Sequence, residues 1–594
     1  MIRLADYVIE RLVAEGVKHL PLITGRGILY LSDAVAKNKD IKPIPVLHEQ
    51  AGAYAAVAYA QYNDHLGACL VSTGCASTNV TTAVLNAWQD GVPCFFLSGQ
   101  NKLKETVGYT GMNIRTYGSQ EANILPIISP ITKYSVMIMD PSQIGVEMDK
   151  AIYYATHGVK GPVWMDIPVD VQNMRVEPDK LERWTASEEM LTVSEADMQY
   201  VIKSLSASKR PIILLGSGVR SAGAVELFRE FMTRFTIPVV FATSAVDTYG
   251  TGYPHSIGAV SAVGGTRAGN MAIQNADLIL CIGNRLSPLT TGSQYEKFGR
   301  NAKLIVVDIN KDEHEKRTVR IDKLILADAG DFIKQLGNGA PLPDVPQEWI
   351  DKCDHWKQAF LKCEDKYKES ERADIYNIAD TLSRVAGDDA VILSDAGIEE
   401  LIVPTTFNFF GNQRCLHPAS QGCMGVALPA AMGAYYACGH PVTAVIGDGS
   451  VMMNIQELQT IAFNKMPIRI VIVNNGFYNV IRKRQIELFR NRTIGTWTED
   501  GVGCPDFSKL ATCFGLRYMR VEGSKDLEEK LIKLEQINEP IICEVMAVDN
   551  QEYFRTSGTF NAQRRFVMRP IEDLYPWMDR DTFVNEMVID PIDL

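Results

Sequence analysis

Short apolar runs of strand length alternate with helix-like stretches three times along this chain. That alternation restricts its fold more than any other feature. From Met1 to about Val176 the order is HLPLIT, the helix ILYLSDAVA, IPVLHEQ, the small-residue helix AGAYAAVAYAQ, GACLVST, PCFFLSGQ and finally KGPVWMDIPVDV. Such an order predicts a parallel sheet covered by helices on both faces. After a polar linker, EPDKLERWTASEE, the pattern restarts at PIILLGSGV and runs through IPVVFAT, ADLILCIGN and AKLIVVDIN. A second linker, APLPDVPQEW, leads into charged helices, and a third round runs from DAVILSD to IICEVMAVD. We expect three doubly wound α/β units over 1–178, 190–340 and 370–550, with an irregular tail over 551–594 draped on the core. A chain of 594 residues accommodates that number of units.

Composition narrows the partners. The net charge of −12 argues against nucleic acid or an anionic membrane as the main partner. Twelve scattered cysteines without a C-x-x-C pair read as buried, reduced thiols of a cytoplasmic protein, not as a disulfide framework or zinc site. The opening MIRLADYVIERLVAEGV is amphipathic and reads as a helix, not a signal peptide. No apolar stretch of about 20 residues is present to span a membrane.

The third round ends one apolar strand on Gly447-Asp448-Gly449-Ser450 and the next on Asn474-Asn475. Asp448 and Asn475 are 27 positions apart, close to one β-α-β crossover of roughly 30 residues. Parallel strands so joined put their C-terminal ends on one edge of the sheet, where α/β folds bind ligands. A carboxylate, an amide oxygen and loop carbonyls suit a hard cation such as Mg2+, completed by phosphates. Gly447, Gly449 and the helix start after Ser450 offer N–H groups to those phosphates. Each half taken alone is an ordinary tight turn. Together, at this spacing, they predict a Mg2+-diphosphate site.

Gly-Asp-Gly followed by Asn-Asn at this distance resembles the binding signature of thiamine diphosphate (ThDP) enzymes. The resemblance runs along nearly the whole chain and is nearest to the acetolactate synthase group. It includes VLHEQAGAYAAVAYAQ, STGCASTNVTTAVLNAWQDGVPCFFLSGQ, KGPVWMDIP and GCMGVALPAAMGA. It implies pyrimidine-binding, central and diphosphate-binding domains in that order, with Asp448, Asn475 and the Phe477 carbonyl on Mg2+. It also implies that Glu49, among small apolar residues that would raise its pKa, bonds the cofactor's pyrimidine nitrogen and moves a proton there. Gly422 and Met424, in QGCMG, match the turn whose bulky apolar residue supports the bent cofactor. In the family, Glu49 and Asp448 meet across a subunit interface, which implies a homodimer or homotetramer.

The implied reaction is decarboxylation of a 2-oxo acid, pyruvate above all, with transfer of the two-carbon unit to a carbonyl acceptor. Gln120 matches an active-site glutamine and Lys133 a channel lysine. Gly25 and Arg26, in TGRGI, fall near the thiazolium, where acetolactate synthases have Gly in place of Arg26. Ile398 and Glu399 replace a Gln-His pair near the diphosphate, where a carboxylate repels unless it points away. Arg484 takes the place of a Trp found in synthases that accept 2-oxobutyrate. With Arg482 and Lys483 it forms a basic cluster, either a solvated helix end or a clamp for a phosphorylated acceptor. The end RPIEDLYPWMDRDTF resembles a subgroup that attaches the unit to a nucleotide-linked keto sugar. Gly216, Gly218, Arg285 and Asp308 resemble FAD-holding positions, although a lone Gly-x-Gly is also an ordinary β-α turn. The alternatives are acetolactate synthase proper, a simple 2-oxo acid decarboxylase, another ThDP C–C lyase, or a scaffold without catalysis. Retention of Glu49, Asp448 and Asn475 together argues against the scaffold.

Overall fold

The computed structural model describes residues 1–187, 191–339, 341–476, 478–561 and 563–593. Three six-stranded sheets follow one another along the chain, every strand parallel to its neighbours and each sheet flanked by helices. The first sheet is ordered Lys42–Pro45, His19–Leu22, Gly67–Val71, Cys94–Gln100, Val163–Pro168, Tyr134–Met137. The last is Arg414–Leu416, Val391–Ser394, Val442–Gly447, Ile468–Asn474, Ile541–Met546, Arg517–Val521. Numbered within each sheet, both read 2-1-3-4-6-5. The central sheet reads 3-2-1-4-5-6, from Ser256–Val260 to Lys323–Leu326, the order of dinucleotide-binding folds. Each order reverses direction beside the first strand, and ligands of open α/β sheets bind in the crevice at that reversal.

The first and last units pack through two helices rich in small residues. Glu49–Asn63 buries Ala51 through Ala60, and Ala427–Cys438 buries Ala427 through Ala434. A Cβ on Gly433 would lie 2.0 Å from the Ala55 carbonyl oxygen, so only glycine lets the backbones approach this far. A charged knot joins all three units. Asp247 of the central unit takes bonds from Arg414 Nε (2.8 Å) and the Cys415 N–H (3.0 Å), and Arg220 reaches both Asp247 (3.3 Å) and Asp64 (3.1 Å). Arg414 also donates to the Tyr62 and Gln61 carbonyls of the first unit.

The tail is more ordered than its composition suggests. It forms an antiparallel pair, Gly558–Phe560 with Phe566–Met568, and a helix, Arg580–Glu586. Helix Arg267–Asn275 is buried throughout, and its polar side chains bond the tail backbone. Arg267 donates to Leu574 O, Asn270 to Ile571 O, and Asn275 accepts from the Val588 and Ile589 N–H groups. All twelve cysteines are free, but Cys75 and Cys513 are exposed and Cys423, Cys438 and Cys504 only partly buried, so the expectation of buried thiols fails at those five. Among the described residues no helix is long and apolar enough to cross a membrane.

Candidate active site

Register brings the two halves of the spaced motif together. Strand Val442–Gly447 pairs with Ile468–Asn474 so that Gly447 lies opposite Val473. The Asp448 N–H then donates to Val473 O (3.2 Å), and Asp448 Oδ2 accepts from the Gly476 N–H (2.6 Å). Asp448 Oδ1 takes the Gly449 N–H at 2.7 Å. Burial pushes this carboxyl up to about 6, partly offset by those N–H groups. Asn475 is buried beside it. Phe477 lies outside the described residues. Among the described residues no group of three His, Cys, Asp or Glu could hold a metal. Asp448 and Asn475 bring a carboxylate and an amide to one edge, oxygen donors that fit Mg2+. Ser450 opens a 3-10 turn, Val451–Asn454, before the α-helix Glu457–Phe463 begins, so the single helix expected there is divided.

Opposite this edge sits the turn of Gly422 and Met424. Asp395, fully buried, fixes it: Oδ1 accepts from the Gly425 N–H (2.9 Å) and Ala396 N–H (2.7 Å), and Oδ2 from the Ala427 N–H (2.9 Å). Gly422 and Gly425 have φ of +60° and +78°, left-handed values that favour glycine. Met424 is left partly exposed. Asp395 was legible only as a strand-end carboxylate in DAVILSD, and its role needed the fold.

Glu399, whose carboxylate was expected to repel a diphosphate unless it pointed away, does not point away. It is buried, and its Oε1 lies 3.2 Å from where a Gly447 Cβ would stand. Burial, with the charges of Asp448 and Asp395, pushes it up to about 8.

Glu49 is the first residue of its helix and does not end a strand, because the strand stops at Pro45. Asn79 Nδ2 donates to its Oε2 at 2.8 Å. Its carboxylate is only half-buried in the single chain, so the closed apolar nest is not formed there. The preceding Leu47 and His48 N–H groups both donate, at 3.0 Å, to Glu457 Oε1 of the last unit. Neither Asn79 nor Glu457 was singled out from sequence, although both lie inside the recognised motifs.

Gly25 and Gln120 come to the same turn, 72–79. A Cβ on Gly25 would meet Ser72 Oγ at 2.3 Å, and one on Gly74 would meet Gln120 O at 2.0 Å. Gln120 has φ +61° and is exposed, as is Arg26. Lys133 is not brought there. It precedes strand Tyr134–Met137, on the opposite edge of the sheet, and its Nζ donates to His157 O at 2.7 Å.

The basic cluster separates on helix Asn479–Phe489. Arg482 lies over Trp497 (4.3 Å to the ring centre), Lys483 reaches Gln551 O (3.3 Å), and Arg484 is half-exposed, 3.5 Å from Glu487. In the central unit Gly216 and Gly218 press on Gly283, where Cβ atoms would meet its backbone at 2.0 and 2.6 Å. Asp308 accepts from the Asn310 N–H and stands 3.3 Å from His314 Nε2, and Arg285 is exposed near Ser420.

These features define a cofactor-dependent α/β enzyme. Family models match all three units: "Thiamine pyrophosphate enzyme, N-terminal TPP binding domain" over residues 2–125, its central domain over 198–336, and its C-terminal TPP binding domain over 395–545. The chain belongs to the thiamine diphosphate-dependent enzymes. It is similar to the acetolactate synthase large subunit of Corynebacterium glutamicum, with 29% identity over 99% of this chain and 92% of that protein. Acetolactate synthase isozyme 3 large subunit of Escherichia coli is 28% identical over 92% and 95%, and the Haemophilus influenzae large subunit 28% over 98% of each.

Proposed function

We propose that the enzyme decarboxylates pyruvate and joins the two-carbon unit to a carbonyl acceptor, with ThDP and Mg2+ at the C-terminal edge of the last sheet. The observation carrying this reading is the register that seats Asp448 against the Asn475 turn. When bound, ThDP supplies the electron sink for loss of CO2. Asp448 and Asn475 would hold the cation. The N–H groups of 447–450 receive the diphosphate, and Met424, on the turn held by Asp395, supports the cofactor. Glu49, directed by Asn79, holds and moves a proton at the pyrimidine nitrogen. The half-exposed Glu49, with exposed Leu47, Met453 and Phe463, supports a homodimer that places Glu49 of one chain over the metal edge of another. A flavin in the central unit draws support from Asp308 and Arg285 alone, because Gly216 and Gly218 are occupied in packing on Gly283. A visible absorption spectrum of the purified protein decides it.

The relatives' names support a second 2-oxo acid as acceptor, giving acetolactate. The half-exposed Arg484 supports a phosphorylated acceptor, a nucleotide-linked keto sugar. Pure protein incubated with pyruvate, ThDP and Mg2+, with and without each acceptor, should yield acetolactate or a branched sugar. ThDP-independent behaviour, or no pyruvate consumption, defeats the whole reading. If the sugar is the acceptor, Arg484→Ala should weaken it roughly 10–100-fold, the worth of one charge-assisted contact, while pyruvate turnover alone stays constant. Damage to the pyruvate titration instead assigns Arg484 to the donor pocket and favours acetolactate.

A further inference from the structure

The tail and the central unit line a small cleft of about 20 Å3 that no part of the proposed reaction uses. Arg569 lines it, with only 7% of the residue exposed. Its Nε and Nη1 are buried without a hydrogen-bond partner among the described residues. Asp573 stands 3.7 Å from Nε, but both its oxygens already take the Arg580 guanidinium, at 2.8 and 2.9 Å. A guanidinium cannot shed its proton, and a buried charge without a bonded counter-charge is costly.

The remaining walls mix donors with apolar Phe298, Pro570 and Ile571. Ser293, Gln294 and Thr556 face the cleft with Lys297, whose ammonium donates to Met568 O (2.8 Å) and pairs with Asp593 (2.7 Å). Among the described residues no Asp or Glu lines the cleft. The geometry points to a subsite for one small oxyanion, a phosphate or carboxylate group, held by the Arg569 fork between the tail and the central unit. A planar guanidinium matches two oxygens of such a group, and the cleft has no room for a whole nucleotide. The subsite also connects to the active-site helix. The Thr556 N–H donates to Ala262 O, and the adjacent Arg555 bonds Glu487, on the helix of Arg484.

The site stands whichever acceptor is used. Its anion is either free phosphate or the end of a larger ligand. Calorimetry on the full-length protein, with ThDP and Mg2+ saturating so that the cofactor's own phosphate cradle is filled, tests it with inorganic phosphate and with uridine diphosphate. Saturable binding should weaken tenfold or more in Arg569→Met. It should weaken equally in Ser293→Trp, which fills the exposed mouth while leaving the guanidinium in place. Tighter binding of uridine diphosphate makes the oxyanion the end of a larger ligand, and a response to phosphate alone makes it a free ion; both support the subsite. No saturable binding by either probe, or binding unchanged in Ser293→Trp, overturns it. Should Arg569→Met fail to fold, Ser293→Trp decides alone.

Discussion

A carboxylate in the first turn of a helix is ordinarily free to move in solvent, yet Glu49 is held by the Asn79 amide at 2.8 Å. That bond commits Oε2 to the Asn79 amide. A hydrogen bond to a charged group is worth about 1.5–3 kcal/mol. Asn79→Ala should therefore lower turnover by about 10–100-fold while ThDP binds with unchanged affinity. Glu49→Gln, which removes proton exchange itself, should cost more, on the order of 10²–10⁴. Kinetics and cofactor titration on the same samples check this. A parallel loss of ThDP affinity in Asn79→Ala would make it a packing residue for the turn.

Two helices set how the first and last units meet. Their contact requires that position 433 have no side chain, because Ala55 O already occupies that space. Gly433→Val should wedge the helices apart and cost about 1–3 kcal/mol, the usual range for overpacking. The Glu457 bonds to Leu47 and His48 lie beyond the same contact, so the loop that presents Glu49 should loosen with it. Thermal unfolding should show a lower Tm, and hydrogen exchange should rise in 47–50. An unchanged Tm would show that the helices can slide without loss.

On the scale of the molecule, the knot around Asp247 is where charged residues of all three units meet. Burial alone would raise the Asp247 carboxyl, but Arg220 and Arg414 outweigh it and hold it down at about 2. Asp64, at the rim of the knot, is raised because burial outweighs the same two arginines. Breaking a buried pair on one side typically costs about 3–5 kcal/mol, so Asp247→Asn should destabilise the chain by that order. A depressed folded pKa gives stability that is complete above the unfolded value, near 4, and lost as pH falls toward the folded one. The gap between wild type and Asp247→Asn should therefore be full at neutral pH and close between about 4 and 2. Denaturant titrations across that range measure it, and a gap that persists at pH 2 would rule out the charge as its source.

The sequence by itself determined the three parallel units and the strand edge that carries Asp448 and Asn475. Strands buried on both faces must be apolar throughout, and that is visible in runs such as Val442–Gly447 and Ile468–Asn474. The spacing of Asp448 and Asn475 is fixed by the length of one crossover. Edge strands such as Tyr134–Met137, Lys323–Leu326 and Arg517–Val521 were not legible, because one open side lets polar residues in and removes the apolar signature. Only tertiary structure decided the strand orders, the inward Glu399, the roles of Asn79, Asp395 and Glu457, and the dispersal of Arg482, Lys483 and Arg484. Apart from Arg484, which pairs three positions on with Glu487, these depend on partners more than ten positions away. The tail shows the same limit. Its Pro/Asp-rich composition reads as irregular, yet helix Arg267–Asn275 orders it through hydrogen bonds to backbone, and backbone groups carry no signal in the sequence that supplies them.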